Sequence, residues 1–320
     1  MLTLPDLRQK QILIIRAEDG SENKIRFHNE NLVFLKDDKV ENRISCHKIF
    51  SVFVIGNLSI TTELIRQSKN FGISFFFLNQ NLKTYAFINS VAEGNYLLRM
   101  RQYGFSSEEE LEVSKRIVRN KIRNQLRLLD LRGIENDLDF GYFEEKIGKA
   151  CDTKKLLGIE GNFSKDFFKL YFKDLGWYAR MPRVKPDIPN FLLDLGYTVL
   201  FNFVDSLLCL FGFDTYKGFY HKLFFQRKSL VCDVVEPFRS IIDKELLKMS
   251  NLKMINEKDF FLDKDNKICA KSYLITKKYL VNFSKAVLDE REDIYLYVQG
   301  LYRFVMDNKK NDFPYFNISR

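Results

Sequence analysis

His221, Asp233 and Glu236 are side chains whose types and spacing suit a divalent cation. They lie within Gly212–Arg239, GFDTYKGFYHKLFFQRKSLVCDVVEPFR, and His221 is one of only three histidines in the chain. The two acids follow it at an i, i+3 spacing. A helix opening in SLVCDVVEPFR would put both carboxylates on one face. Their neighbours Leu230, Val231, Val234 and Val235 are apolar, and a carboxylate in such company is costly to bury unless paired or bound to a cation. A neutral imidazole with carboxylates is a ligand set that divalent metals accept. The same residues admit a purely structural reading, in which the acids pair with Arg227 and Arg239 and His221 packs in the core. Glu160 is a further acid to weigh. Leu156, Leu157 and Ile159 precede it, and Gly158 and Gly161 flank it. A surface acid in the first turn of a helix would look the same.

The elements that must position these residues change character along the chain. To about Ser90 the sequence reads as β-rich: QILIIR, NKIRF, NLVFL, FSVFVI, ISFFFL and KTYAFI alternate with the turn segments EDGSEN, HNEN, DDKVEN and NQN. One helix, near ITTELIRQSKN, interrupts them, capped by Ser59 or Thr61. His28 and His47 fall in turns without acids nearby in sequence and are not expected to be ligands. From Val91 the periods become helical. SSEEELEVSKRIVRNKIRNQLRLLDLRG has acids in its first turn and bases later, as a helix macrodipole favours, with Ser106 or Ser107 as cap. Leu111, Val118, Ile122, Gln125 and Leu129 trace one face of it. Arg116, Arg119, Arg123 and Arg127 trace another, which would follow a phosphate backbone or form a solvated face with intrahelical ion pairs. Phe163, Phe167, Phe168, Tyr171 and Phe172 form an aromatic core stripe. RMPRVKPDIPN, with Pro182, Pro186 and Pro189, reads as a rigid loop carrying Arg180, Arg183 and Lys185. A buried helix over Phe191–Phe211, a charged loop INEKDFFLDKDNK and a tail mobile beyond Asn308 complete the chain. The expected fold is α+β: a small, mostly antiparallel β domain over residues 1–90, then a larger all-α catalytic domain over 91–320.

Composition narrows the function. The chain has 320 residues, a net charge of +9 and a sequence pI of about 9.1, with 46% hydrophobic and 15% aromatic residues. That is the composition of a globular protein with room for two domains, and its basic excess is compatible with a polyanionic partner. The five cysteines show no CxxC spacing, which argues against a zinc ribbon or a disulfide framework and for a reducing compartment. MLTLPDLRQK carries no apolar signal core, so a cytoplasmic location is expected. No Gly-rich phosphate loop, GxSxG elbow or dinucleotide fingerprint is present.

Four ordered blocks, LLGIEG, RVKPDIPNFLLDLGYTVL, GFDTYKGFYH and SLVCDVVEPFR, resemble the CRISPR-associated protein one family, the endonuclease and integrase of spacer acquisition. The likeness is dense from Gly158 to about Asp243, with a weaker echo back to Arg99 in RMRQY and KIRNQLRLL. It departs from the family pattern at Thr215 and Tyr216 and in PDIPN, which touches loop shape only. The resemblance implies a β-sandwich-like N-terminal domain that makes the dimer contact and a helical domain that carries the site. It implies Glu160, His221 and Glu236 as ligands of Mg²⁺ or Mn²⁺, with Asp233 as an auxiliary catalytic residue. It also implies DNA as substrate, and the basic residues expected to contact it are Arg116, Arg119, Arg123, Arg127, Arg180, Arg183, Lys185, Arg227 and Arg239. Two homodimers would enclose a dimer of CRISPR-associated protein two. The reaction implied is attack by the 3′-hydroxyl of an incoming fragment on a phosphodiester at the repeat. A metal-dependent nuclease without integrase activity and a non-catalytic DNA-binding scaffold are the alternatives.

Overall fold

The computed structural model describes residues 3–17, 20–79, 84–90, 94–177, 179–181, 184–222, 224–307 and 312–318. Two compact units emerge: Met1–Asn95 with Asp205–Phe213, and Tyr96–Val204 with Asp214–Arg320. Relative to the expected division near residue 90, the boundary moves to Asn95, and the segment Asp205–Phe213 joins the first unit.

The first unit opens with helix α1 (Leu4–Arg8) and then builds two four-stranded sheets. One contains β1 (Gln11–Arg16), β5 (Ile49–Ile55), β7 (Ser74–Leu78) and β8 (Thr84–Ile88), in that order. The other is ordered β4 (Lys39–Ser45), β3 (Asn31–Lys36), β2 (Asn23–His28) and β6 (Ser59–Ile60). All seven residues of β5 are buried, as its unbroken apolar run IFSVFVI dictates for a strand covered on both faces. Ile15, Ile25, Leu32, Val52, Val54 and Phe75 bring both sheets into one core. The ladders are more mixed than the expected antiparallel pairing. Strand β2 pairs antiparallel with β3, β3 with β4 and β7 with β8, while β1–β5, β5–β7 and β2–β6 run parallel. The physical reason is connectivity: β1 and β5 are separated by the β2–β4 meander, and β5 and β7 by helix α2 (Thr62–Asn70), so both pairs are crossovers. Helix α2 takes Thr61 as its cap, whose hydroxyl accepts from the Leu64 amide.

The second unit is helical: α3 (Tyr96–Tyr103), α4 (Ser107–Leu131), α5 (Phe140–Lys149), α6 (Thr153–Tyr171), α7 (Ile188–Phe211, whose last turns belong to the first unit), α8 (Ser229–Val235), α9 (Arg239–Asn251), α10 (Tyr273–Asp289) and α11 (Arg291–Met306). Ser106 caps α4 in a full capping box with Glu109. Helix α7 passes the length and composition test for a membrane span, but 83% of its most apolar window is buried. It is a core helix.

Two expectations for this unit change. The charged loop contains a small antiparallel hairpin, β9 (Phe260–Leu262) with β10 (Ile268–Ala270). The C-terminal tail, expected to be mobile, docks its described part on α4: Asn120 exchanges two hydrogen bonds with the Phe316 backbone, and Asn124 accepts from the Ile318 amide. Phe316 packs on Phe238 with ring centroids 4.6 Å apart. Polar side chains on a buried helix face need partners, and the tail backbone supplies them.

Candidate active site

Helix α6 starts one turn earlier than the glycines of LLGIEG suggest. Asp152 caps it, accepting from the Lys155 amide at 2.8 Å, so Glu160 lies in the helix interior and not in a first turn. A Cβ at Gly158 or at Gly161 would meet no atom, so the helix runs through both without conflict. Glu236 follows α8, at the start of the 3-10 turn Glu236–Phe238 that Pro237 forces before α9. Val235, Glu236, Phe238 and Arg239 all keep right-handed helical backbone, and the two acids of DVVE differ in their partners.

Asp233 is fully buried and serves the His221 loop. Its carboxylate accepts from the backbone amides of Phe219 (2.6 Å), Tyr220 (3.0 Å) and His221 (2.8 Å), and from the His221 ring at Nδ1 (2.7 Å). With its oxygens accepting three backbone amides, the Asp233 carboxylate takes Nδ1 as a fourth donor, and in the neutral form of the ring the lone pair would then lie at Nε2. The loop passes so close to α8 that a Cβ at Gly218 would stand 2.7 Å from Asp233 Oδ2 and 2.8 Å from the Ser229 carbonyl carbon. Buried Gln102 on α3 holds the loop from the other side, donating to the carbonyls of Asp214 and Lys217 and accepting from the Asp214 amide.

Glu160 and Glu236 converge on one ammonium group. Lys121, on the buried face of α4, pairs with Glu160 Oε1 and with Glu236 Oε2, the latter at 2.7 Å. Arg239 pairs with the same Glu236 oxygen at 2.9 Å and lies over the Tyr197 ring. Glu160 also accepts from Ser164 (3.2 Å) and from the Tyr220 hydroxyl (3.4 Å). Burial opposes the charge on Glu236, but Arg239, Lys121 and His221 outweigh it and hold the carboxyl down at about 2. Burial likewise opposes the Lys121 charge, and Glu160 and Glu236 outweigh it, so the ammonium is held above its ordinary range.

Behind this pair sits Asp243, fully buried and accepting from the Tyr197 hydroxyl at 2.5 Å. Burial pushes its carboxyl up to about 7, although Tyr197, Arg239, Lys121 and Arg180 pull the other way. The folded protein thus binds a proton there that the unfolded chain has released, between the unfolded value near 4 and about 7. Stability from this group is fully present below pH 4 and is lost as pH rises to about 7. The slope of about 1.4 kcal/mol per pH unit gives of the order of 4 kcal/mol across the window. Chemical denaturation of the wild type and of Asp243→Asn from pH 4 to pH 8 checks this: the free-energy difference between them should shift in favour of the variant as pH rises. A pH-independent difference would place the proton elsewhere.

The basic residues separate into two groups. Arg116, Arg123 and Arg127 are exposed along α4, with Arg123 4.5 Å over the Phe140 ring. Others are engaged within the protein: Arg119 with Glu144, Arg180 with Asn190 and Asp194, Arg239 with Glu236, and Arg227 with the Lys222 carbonyl. Lys185 is half-buried, its ammonium 5.5 Å over the Phe191 ring. Arg183 lies outside the described residues. The structural reading of the acids therefore holds for Glu236 with Arg239 and not for Asp233 with Arg227.

No group of three His, Cys, Asp or Glu side chains forms a ready ligand cage among the described residues. The donors nevertheless fit a hard divalent ion. Two carboxylates from separate elements already gather on a single cation, and the loop beside them holds the His221 imidazole through its Nδ1.

Residues 19–285 match the family model of CRISPR associated protein Cas1. The chain belongs to this family. A Cas1 endonuclease of Thermodesulfovibrio yellowstonii is 28% identical over 307 residues, covering 91% of this chain and 96% of that one. A casposase bound to integration product superposes with a TM-score of 0.82 at 20% identity, covering 97% of this chain and 95% of the other. A chain of a Cas6-RT-Cas1–Cas2 complex superposes at 0.78 and 23% identity, covering 98% of this chain and 36% of that longer one. These superpositions agree with the Cas1 fold: a β-rich N-terminal region followed by a helical C-terminal region.

Lys121, Tyr220 and Asp243 were not singled out by sequence. Lys121 had a legible signal: it falls three residues after Val118 and four before Gln125, on the apolar face of α4, where a lysine needs an acidic partner.

Proposed function

We propose that this chain is a divalent-metal-dependent DNA endonuclease and strand-transfer integrase of CRISPR adaptation. The observation that carries the proposal is the convergence of Glu160 and Glu236 on one point beside a histidine whose Nδ1 is held by buried Asp233. Family membership and the casposase neighbour bound to integration product support it. Glu160, Glu236 and His221 Nε2 would hold Mg²⁺ or Mn²⁺. When bound, the ion supplies Lewis-acid polarisation of the phosphoryl oxygen and eases deprotonation of the attacking 3′-hydroxyl. Asp233 fixes the ring tautomer and the loop, and Tyr220 and Ser164 orient the Glu160 carboxylate. Strand transfer exchanges one phosphodiester for another, so the chain needs no nucleotide-hydrolysing loop. In this reading the protein works in the cytoplasm as a homodimer through its N-terminal sheets. Two dimers enclose a Cas2 dimer, consistent with a neighbour from a Cas1–Cas2 complex.

Incubating the protein and Cas2 with a labelled duplex and a supercoiled plasmid bearing the leader and repeat tests the reading. Label joined to relaxed plasmid, dependent on Mn²⁺ or Mg²⁺, is expected. Cleavage without joining would reassign the site to hydrolysis, and DNA binding with neither would make the chain a scaffold.

The arginines carry a separate prediction. Alanine at Arg116, Arg123 or Arg127 should weaken DNA binding alike across sequences, and each lost phosphate contact should flatten the log–log salt slope by about one. Arg119 and Arg180, already ion-paired, should leave the slope unchanged when replaced. Unchanged slopes for the three exposed arginines would return that face of α4 to solvent.

A further inference from the structure

The Lys121 side chain bridges both proposed metal-holding acids, and the metal-dependent reading does not use it. It enters from α4, a different element from those of the two acids, and is only 7% exposed. Its ammonium meets Glu160 Oε1, which also accepts from Ser164, and Glu236 Oε2, which Arg239 also meets. The lysine thus binds an oxygen of each carboxylate proposed to hold the metal.

We propose that Lys121 is a built-in competitor for the metal position: its ammonium neutralises Glu160 and Glu236 together, and a divalent ion must displace it to bind both. The inference rests on the reading of these acids as ligands. Two carboxylates this close, Glu236 buried and Glu160 partly so, repel unless a cation lies between them, and removing the cation leaves the buried Glu236 charge less compensated. Arg239 alone does not fill the role, because its pair is with Glu236 and Glu160 is left to Lys121. A lysine suits a displaceable cation better than an arginine does, since a compact charge on a flexible four-carbon stem can swing aside while a planar fork locks two oxygens. Seen this way, the scattered ligands are not a failed cage. The acids are held in place by a placeholder, and the ion's affinity is set by exchange with that ammonium.

Mn²⁺ binding without DNA, measured by calorimetry, tests this in the full-length protein and in Lys121→Met and Lys121→Gln. Glutamine keeps a polar, uncharged end one bond short of the ammonium position and guards against misfolding of the methionine variant. Both variants should melt at lower temperature than wild type without Mn²⁺, bind Mn²⁺ at least about tenfold more tightly, and gain more thermal stability from it, as mass action requires. A variant that folds only when Mn²⁺ is added would also support the proposal. Equal or weaker Mn²⁺ binding than wild type, or failure of both variants to fold at any Mn²⁺ concentration, would overturn it and make Lys121 a structural ion-pair residue. If neither wild type nor variants bind Mn²⁺, the metal reading itself falls, and this inference with it.

Discussion

Alanine at Glu160, His221 or Glu236 should lower the strand-transfer rate by roughly 10²–10⁴-fold, the range typical of losing one positioned catalytic group. Ligands of one ion act as a unit, so double variants should be little worse than single ones. DNA affinity should survive, because the exposed arginines lie along α4. The three positions differ in what else they hold. Removing Glu236 strips Arg239 and Lys121 of a shared buried partner, and breaking such a pair from one side costs about 3–5 kcal/mol. Glu236→Gln therefore accompanies Glu236→Ala, and circular dichroism separates lost chemistry from lost fold. Multiple-turnover joining assays with Mn²⁺ give the rates. Wild-type rates from His221→Ala would remove the histidine from the site.

The second large effect belongs to Asp233. The family resemblance implies Asp233 only as an auxiliary catalytic residue. In the structure it is fully buried and accepts three backbone amides and an imidazole nitrogen. Asp233→Ala leaves these donors unpartnered, at about 1–3 kcal/mol for each that water cannot reach. The expected loss of unfolding free energy is of the order of 3–5 kcal/mol, similar to breaking a buried ion pair. Activity should fall roughly 10–100-fold, as it does when a group that orients a metal-ligating histidine is lost. Urea denaturation gives the first number and joining assays the second. A variant as stable as wild type would mean that another group holds the Phe219–His221 backbone.

How much of this was legible in sequence follows from the range of the interactions involved. Helix α4 was clear because its cap, its charge gradient and its apolar period are local. The strands were legible for the same reason, but their mixed pairing was not, since crossovers are decided by chain connections outside any strand. His221, Asp233 and Glu236 stood out as polar residues in apolar company. Their division of labour did not: the backbone stays helical through Glu236, so the i, i+3 relation holds, and only partners from other elements, Lys121 for Glu236 and the Phe219–His221 backbone for Asp233, separate the two acids. Lys121 lies 39 positions from Glu160, and Asn120 and Asn124 bond to a tail nearly two hundred positions away. Only tertiary structure brings such partners together.

The central claim is that Glu160, Glu236 and His221 Nε2 hold one divalent ion. Pulsed electron paramagnetic resonance of the Mn²⁺-loaded protein tests it most directly, because a coordinated imidazole imprints nitrogen hyperfine coupling on the Mn²⁺ signal. The chain has three histidines, His28, His47 and His221. The account predicts coupling from one nitrogen, retained when His28 and His47 are both replaced and abolished by His221→Ala. Mn²⁺ bound without nitrogen coupling, or coupling that survives His221→Ala, would contradict it.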